Sequence, residues 1–107
     1  MQDTKTTIGQ VKNVVEKFRK ERGWGSNPKS IAISIAIEAA ELLEHFQWED
    51  EIRDLEEIRN ELADIVIYCR QFAAVSETDI AHAIEKKLAH NAKRYPTKLF
   101  SKGKDTP

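Results

Sequence analysis

The sequence predicts an all-α protein, an antiparallel four-helix bundle completed by oligomerisation. Three observations carry this. Apolar residues recur at helical spacing along most of the chain. No run alternates apolar and polar residues as a half-buried strand would. The breaks fall on capping and helix-stopping residues, at Gly23, Asn27-Pro28, Thr78-Asp79 and Pro96. At 107 residues, 40% of them hydrophobic, the chain suits a single domain with a core only a few layers deep, so association is expected to complete it.

The first helix is predicted over Thr7 to Arg22, where Val11, Val14, Val15 and Phe18 form one apolar stripe and Gly23 ends it. The loop GWGSNPK follows, with Asn27 as N-cap and Pro28 at the first helical position of a second helix running to about Gln47. A short polar link around Trp48 to Asp50 leads to a third helix over Glu51 to Val75, amphipathic at first and more uniformly apolar from Leu62 to Cys69. Thr78 or Asp79 caps a fourth helix that continues to Arg94 before Pro96 stops it. The expected domain is therefore 1–96, and residues 97–107, polar and Lys-rich, are expected to form a flexible tail.

Composition narrows the function classes. A net charge of -1 offers no basic stripe for a nucleic-acid polymer. The single cysteine, Cys69, lies in an apolar helical run and reads as a small core residue rather than a nucleophile or half of a disulfide. No N-terminal apolar signal region and no apolar run of about 18 residues is present, so the expectation is a soluble cytoplasmic protein without a membrane partner.

The chemistry is carried by two pairs of carboxylates, Glu38 with Glu41 and Glu61 with Asp64. Spacing alone is weak, because Glu41/Glu44, Glu51/Asp54 and Asp54/Glu57 share it in a chain with 18 acidic residues. Context separates the first two pairs: IAISIAIEAAELLEHF and ELADIVIYC read as core-facing helix, where clustered negative charge is costly unless a cation neutralises it. Residues three apart share a helix face, and an antiparallel turn after Trp48 would bring the two pairs face to face. Four oxygen-bearing ligands without a histidine at the same spacing suit a hard cation, Mg²⁺ first and Mn²⁺ second, and a phosphate-bearing substrate follows.

On the fourth helix Lys87, Asn91 and Arg94 recur at four- and three-residue intervals and Tyr95 follows, a set able to hold phosphate. Taken alone the stripe reads first as a solvated basic face, and it gains weight as a phosphate site only beside the acidic pairs. His45 lies one turn after Glu41, within reach of the site, but reads first as a helix-face residue near the loop, while His82 and His90 lack a partnering carboxylate pair.

EAAELLEHFQW, then NELADIVIY, then KLAHNAKRYP resemble the MazG-like nucleotide pyrophosphohydrolases of the all-α NTP pyrophosphatase superfamily, over Phe18 to Pro96. The resemblance implies Mg²⁺-dependent hydrolysis of nucleoside triphosphates to a monophosphate and pyrophosphate by a dimer or a pair of dimers, in short members serving as house-cleaning of unwanted deoxynucleotides, dCTP-like ones among them. It implies Glu38, Glu41, Glu61 and Asp64 as metal ligands, with Glu41 or Glu38 also handling the attacking water. It further implies Lys87 and Arg94 as phosphate-side cations, Asn91 and Tyr95 as sugar or phosphate contacts, and Trp48, Tyr68 and Trp24 as nucleobase contacts, with Lys29 at the basic position after Pro28. Tyr68 reads equally well as a packing residue. GWGSNPK departs from cytosine-preferring members: it is shorter, and Ser26 stands where their histidine aligns.

Two other classes share the bundle. A di-iron carboxylate protein expects Glu-x-x-His on two helices, where this chain has Glu-x-x-Glu and Glu-x-x-Asp. A non-catalytic helical interaction module would not need the four carboxylates together with Lys87 and Asn91.

Overall fold

The computed structural model describes residues 1–97 and places four helices in them, with no strand among the described residues: α1 (Ile8–Glu21), α2 (Pro28–Glu44), α3 (Leu55–Val75) and α4 (Ile80–Arg94). Of the expected tail over 97–107, all but Thr97 lies outside the described residues.

Local signals set the boundaries. Thr7 caps α1 in a reciprocal capping box with Gln10, and Asn27 caps α2 with Pro28 behind it. Asp79 caps α4, its side chain accepting from the His82 N–H. Two expected boundaries are corrected. The second helix ends at Glu44 rather than near Gln47, because the amides of His45, Phe46 and Gln47 each bond three residues back and tighten the last turn. The third helix begins at Leu55 rather than Glu51, because Asp54 accepts from the Glu57 N–H and fixes the start there. The connection is consequently the ten-residue stretch 45–54 rather than a short link at Trp48 to Asp50.

Helices α1 and α3 end alike. The Trp24 amide reaches back to the Arg19 carbonyl and the Gly23 amide to Lys20; after α3, Thr78 reaches Ala73 and Glu77 reaches Ala74. Each is a Schellman closure with a left-handed residue, Gly23 at φ 63° and Glu77 at φ 52°. At the first closure Trp24 packs edge-on against Phe18, ring centroids 5.4 Å apart, and the Arg19 Nη1 donates to the Trp24 carbonyl.

Helices α2 and α3 form the central antiparallel pair. The Gln71 Nε2 donates to the Gly25 carbonyl at one end, and His45 approaches Glu61 at the other. Ile31 and Ala73 are the buried apolar residues of the core. Ile33, Ile37 and Leu43 on α2, and Leu62 and Val66 on α3, stand exposed. Cys69 shares this exposure, against its expected place in the core, since it continues the Leu62 and Val66 face of α3 that stands open among the described residues.

Candidate active site

The antiparallel crossing of α2 and α3 brings the two carboxylate pairs together. Ligand oxygens of Glu38, Glu61 and Asp64 lie within 4.8 Å of one another. Glu41 stands just outside this trio, adjoining both Glu38 and Glu61, and lines a cleft of about 420 Å³ with Glu44, His45 and Glu61. Three of the four expected ligands thus converge, and the fourth faces the cleft.

The electrostatics are those of an unneutralised cluster. Burial, then the neighbouring carboxylates of Glu41, Asp64 and Glu61, push the Glu38 carboxyl up to about 7. Burial and Glu41 also raise Glu61, against a lowering pull from His45, whose Nε2 lies 3.8 Å from Glu61 Oε1. Glu38 Oε2 is buried without a hydrogen-bond partner. An orphaned carboxylate oxygen beside two more carboxylates, with no lysine or arginine ion-paired to any of them among the described residues, fits a hard divalent cation held by oxygen donors.

A second cavity of about 380 Å³ adjoins along the same groove, since its Ser34 is one turn from Glu38 and its Tyr68 one turn from Asp64. Trp24 and Tyr68 both line it, together with Asn27, Ser30 and Gln71. Sequence reasoning had passed over these polar groups and Ser34. The i, i+4 relation of Ser34 to Glu38 was the available signal. His45, read first as a face residue near the loop, lines the cleft, the approach to the site that its place one turn after Glu41 allows.

The remaining expected site residues lie elsewhere in the single chain. Trp48 is 89% exposed on the 45–54 connection, beyond the far end of α2 from the Trp24 cavity. Lys29 is exposed in the first turn of α2 and does not line that cavity. Lys87 and Arg94 are exposed on α4 and form no ion pair with the four carboxylates; Asn91 is half-buried, and Arg94 lies over the Tyr95 ring at 5.2 Å.

The chain is similar to dCTP pyrophosphatase 1 of Homo sapiens, 28% identical over 104 residues that cover 87% of this chain and 61% of that protein. Its counterpart from Bos taurus is 29% identical, with 62% of its length covered. The chain therefore spans about three fifths of the length of these relatives. A solved pyrophosphatase from Archaeoglobus fulgidus superposes with a TM-score of 0.77 at 34% identity, covering 83% of this chain and 92% of that one. The MazG-like family matches residues 33–104, a span that contains all four carboxylates. With its sequence, helical fold and acidic groove in agreement, the chain belongs to the MazG-like family.

Proposed function

We propose that the chain is a Mg²⁺-dependent nucleoside triphosphate pyrophosphohydrolase that converts (d)NTP to (d)NMP and pyrophosphate, with Mn²⁺ as a possible substitute metal. The observation that carries this reading is the convergence of Glu38, Glu61 and Asp64 around an unpartnered buried oxygen, with Glu41 facing the adjoining cleft. Glu38, Glu61 and Asp64 would hold the cation, which when bound supplies charge neutralisation and a more acidic water. Glu41 stands off that trio yet lines the cleft, so it is favoured over Glu38 to take the proton from the attacking water. The water oxygen bonds to the α-phosphorus as the α–β bridging bond breaks, and the bridging oxygen leaves with pyrophosphate.

Trp24 and Tyr68 are the proposed walls for the base, with Asn27, Ser30, Ser34 and Gln71 offering polar contacts. The dCTP pyrophosphatases among the relatives support a dCTP-like deoxynucleotide and a house-cleaning role. Lys87, Asn91, Arg94 and Tyr95 are the proposed phosphate and sugar contacts, and Lys29 and Trp48 complete the substrate set. These outlying residues, and the bare face of Ile33, Ile37, Leu62 and Val66, call for a homodimer or a dimer of dimers. Among the described residues no helix is long and apolar enough to cross a membrane, and a cytoplasmic location belongs to the same reading.

The test is incubation with Mg²⁺ and a panel of canonical and modified NTPs and dNTPs, measuring pyrophosphate against orthophosphate. Pyrophosphate with matching monophosphate, lost in Glu41→Gln, is the expected result. Orthophosphate release, or no release across the panel by metal-loaded protein, would overturn it.

A further inference from the structure

Trp24 lines the 380 Å³ cavity from a loop in which it stands between two glycines. It is 49% exposed, and a Cβ added at Gly23 or Gly25 would meet nothing within 4 Å. Packing therefore does little to fix the chain on either side of it, and glycine restricts that chain least. Directed bonds take over. The closure of α1 ties the Trp24 amide to the Arg19 carbonyl at 3.1 Å. The next two carbonyls are each held by a side chain from a different helix: Arg19 Nη1 of α1 donates to Trp24 at 2.9 Å, and Gln71 Nε2 of α3 donates to Gly25 at 3.3 Å.

Arg19 is itself held in place. Its Nε and Nη2 both donate to Glu16 Oε2, at 3.1 and 2.6 Å, and the two side chains are only 13% and 16% exposed. Nε and Nη2 lie on one edge of the guanidinium, so the Glu16 bonds fix its plane and leave Nη1 on the other edge aimed at the Trp24 carbonyl. Phe18, the residue before Arg19, takes the Trp24 ring edge-on. Ring and backbone of Trp24 are thus both set from one turn of α1.

Resting on the assignment of that cavity to the base, we propose that Arg19, locked by Glu16, is a positioning residue for nucleobase recognition. It touches no substrate. It holds the Trp24 wall in place before a nucleotide arrives, so that ordering this loop is not charged against binding. Loosening it weakens the grip on the base and leaves the carboxylate chemistry alone, so KM takes the change and kcat does not.

The experiment follows Mg²⁺-dependent hydrolysis of the nucleotide that the unsubstituted chain turns over best, with inorganic pyrophosphate as a base-free competitor. Arg19→Gln should raise KM roughly five- to tenfold with kcat within about twofold, the loss of one charged hydrogen bond felt in binding. Inhibition by pyrophosphate should stay unchanged. Arg19→Lys should fall between, because it keeps the charge and loses the fork, and Glu16→Gln should act in the same direction by less. In ¹⁵N NMR without nucleotide, the Trp24 indole N–H of Arg19→Gln should shift while that of Trp48 stays. An unchanged KM, an equal loss of pyrophosphate inhibition, a fall in kcat alone, or an unmoved Trp24 resonance would each overturn the role. Turnover with an unchanged KM strikes Arg19 alone, whereas no turnover of any nucleotide by the unsubstituted chain strikes the base-site reading and this role with it. Should Arg19→Gln fail to fold, Glu16→Gln decides by the same criteria.

Discussion

Helix α3 carries two sites of uncompensated charge, opposite in sign, and they differ in how the protein can tolerate them. Glu61 and Asp64 contribute to a carboxylate cluster whose crowding raises Glu38 to about 7, so the cluster can shed negative charge by taking up a proton. Arg70 has no such exit, because a guanidinium stays protonated at any pH a folded protein meets. Its buried Nε and Nη1 meet no acceptor among the described residues. One site can therefore stand without its ligand by titrating. The other carries its cost at every pH.

The largest expected effect lies at the acidic site. Glu41→Gln should lower pyrophosphate release by roughly 10²- to 10⁴-fold, the range for loss of a general base, while far-UV circular dichroism stays unchanged. Parallel melting of the helices would instead give Glu41 a structural role. At the basic site, Arg70→Met should stabilise the protein by about 2 kcal/mol in chemical denaturation, because a buried unmatched charge is replaced by an apolar side chain. Equal midpoints for Arg70→Met and the unsubstituted chain would erase the contrast between the two sites.

The pH dependence sharpens the same comparison. The folded pKa of Glu38 is raised from 4.5 to about 7, so between those values the native state binds more protons than the unfolded chain and stability falls as pH rises. Glu61 is raised and acts in the same direction. Metal-free protein should thus melt higher near pH 5 than near pH 8, and added Mg²⁺ should restore the loss at the alkaline end. A thermal midpoint that rises across this window in chelator would contradict the cluster's electrostatics. The smallest effect concerns the two Schellman closures. Glu77→Gly should stabilise by about 1 kcal/mol and Gly23→Ala should destabilise by a similar amount, since a left-handed residue with a Cβ is strained.

What the sequence disclosed follows the range of the interactions involved. Asn27-Pro28 and Asp79 act within one turn, and they mark the starts of α2 and α4 in both sequence and structure. The carboxylate pairs were legible for the same reason, because three-residue spacing on a helix is local geometry. The 45–54 connection was misjudged at both ends, where tightened three-residue hydrogen bonds and the Asp54 cap outweigh the helix-compatible residues between them. Arg70 was invisible within IVIYCRQFAAV, since its burial depends on the wall formed with α1 and α4, far away in sequence. The exposure of Cys69 had the same origin: apolar surroundings along the chain do not reveal whether another helix covers that face.

The two tryptophans occupy sharply different surroundings, which equips the molecule with an internal optical probe. Trp24 is held edge-on against Phe18 by the closure of α1 and lines the cavity shared with Tyr68, whereas Trp48 is 89% exposed on the connection between α2 and α3. Aqueous iodide should quench the emission of Trp48 first. With Trp48 replaced by phenylalanine, the remaining fluorescence would come from the cavity wall alone, so occupancy of that cavity could be followed by light without a label.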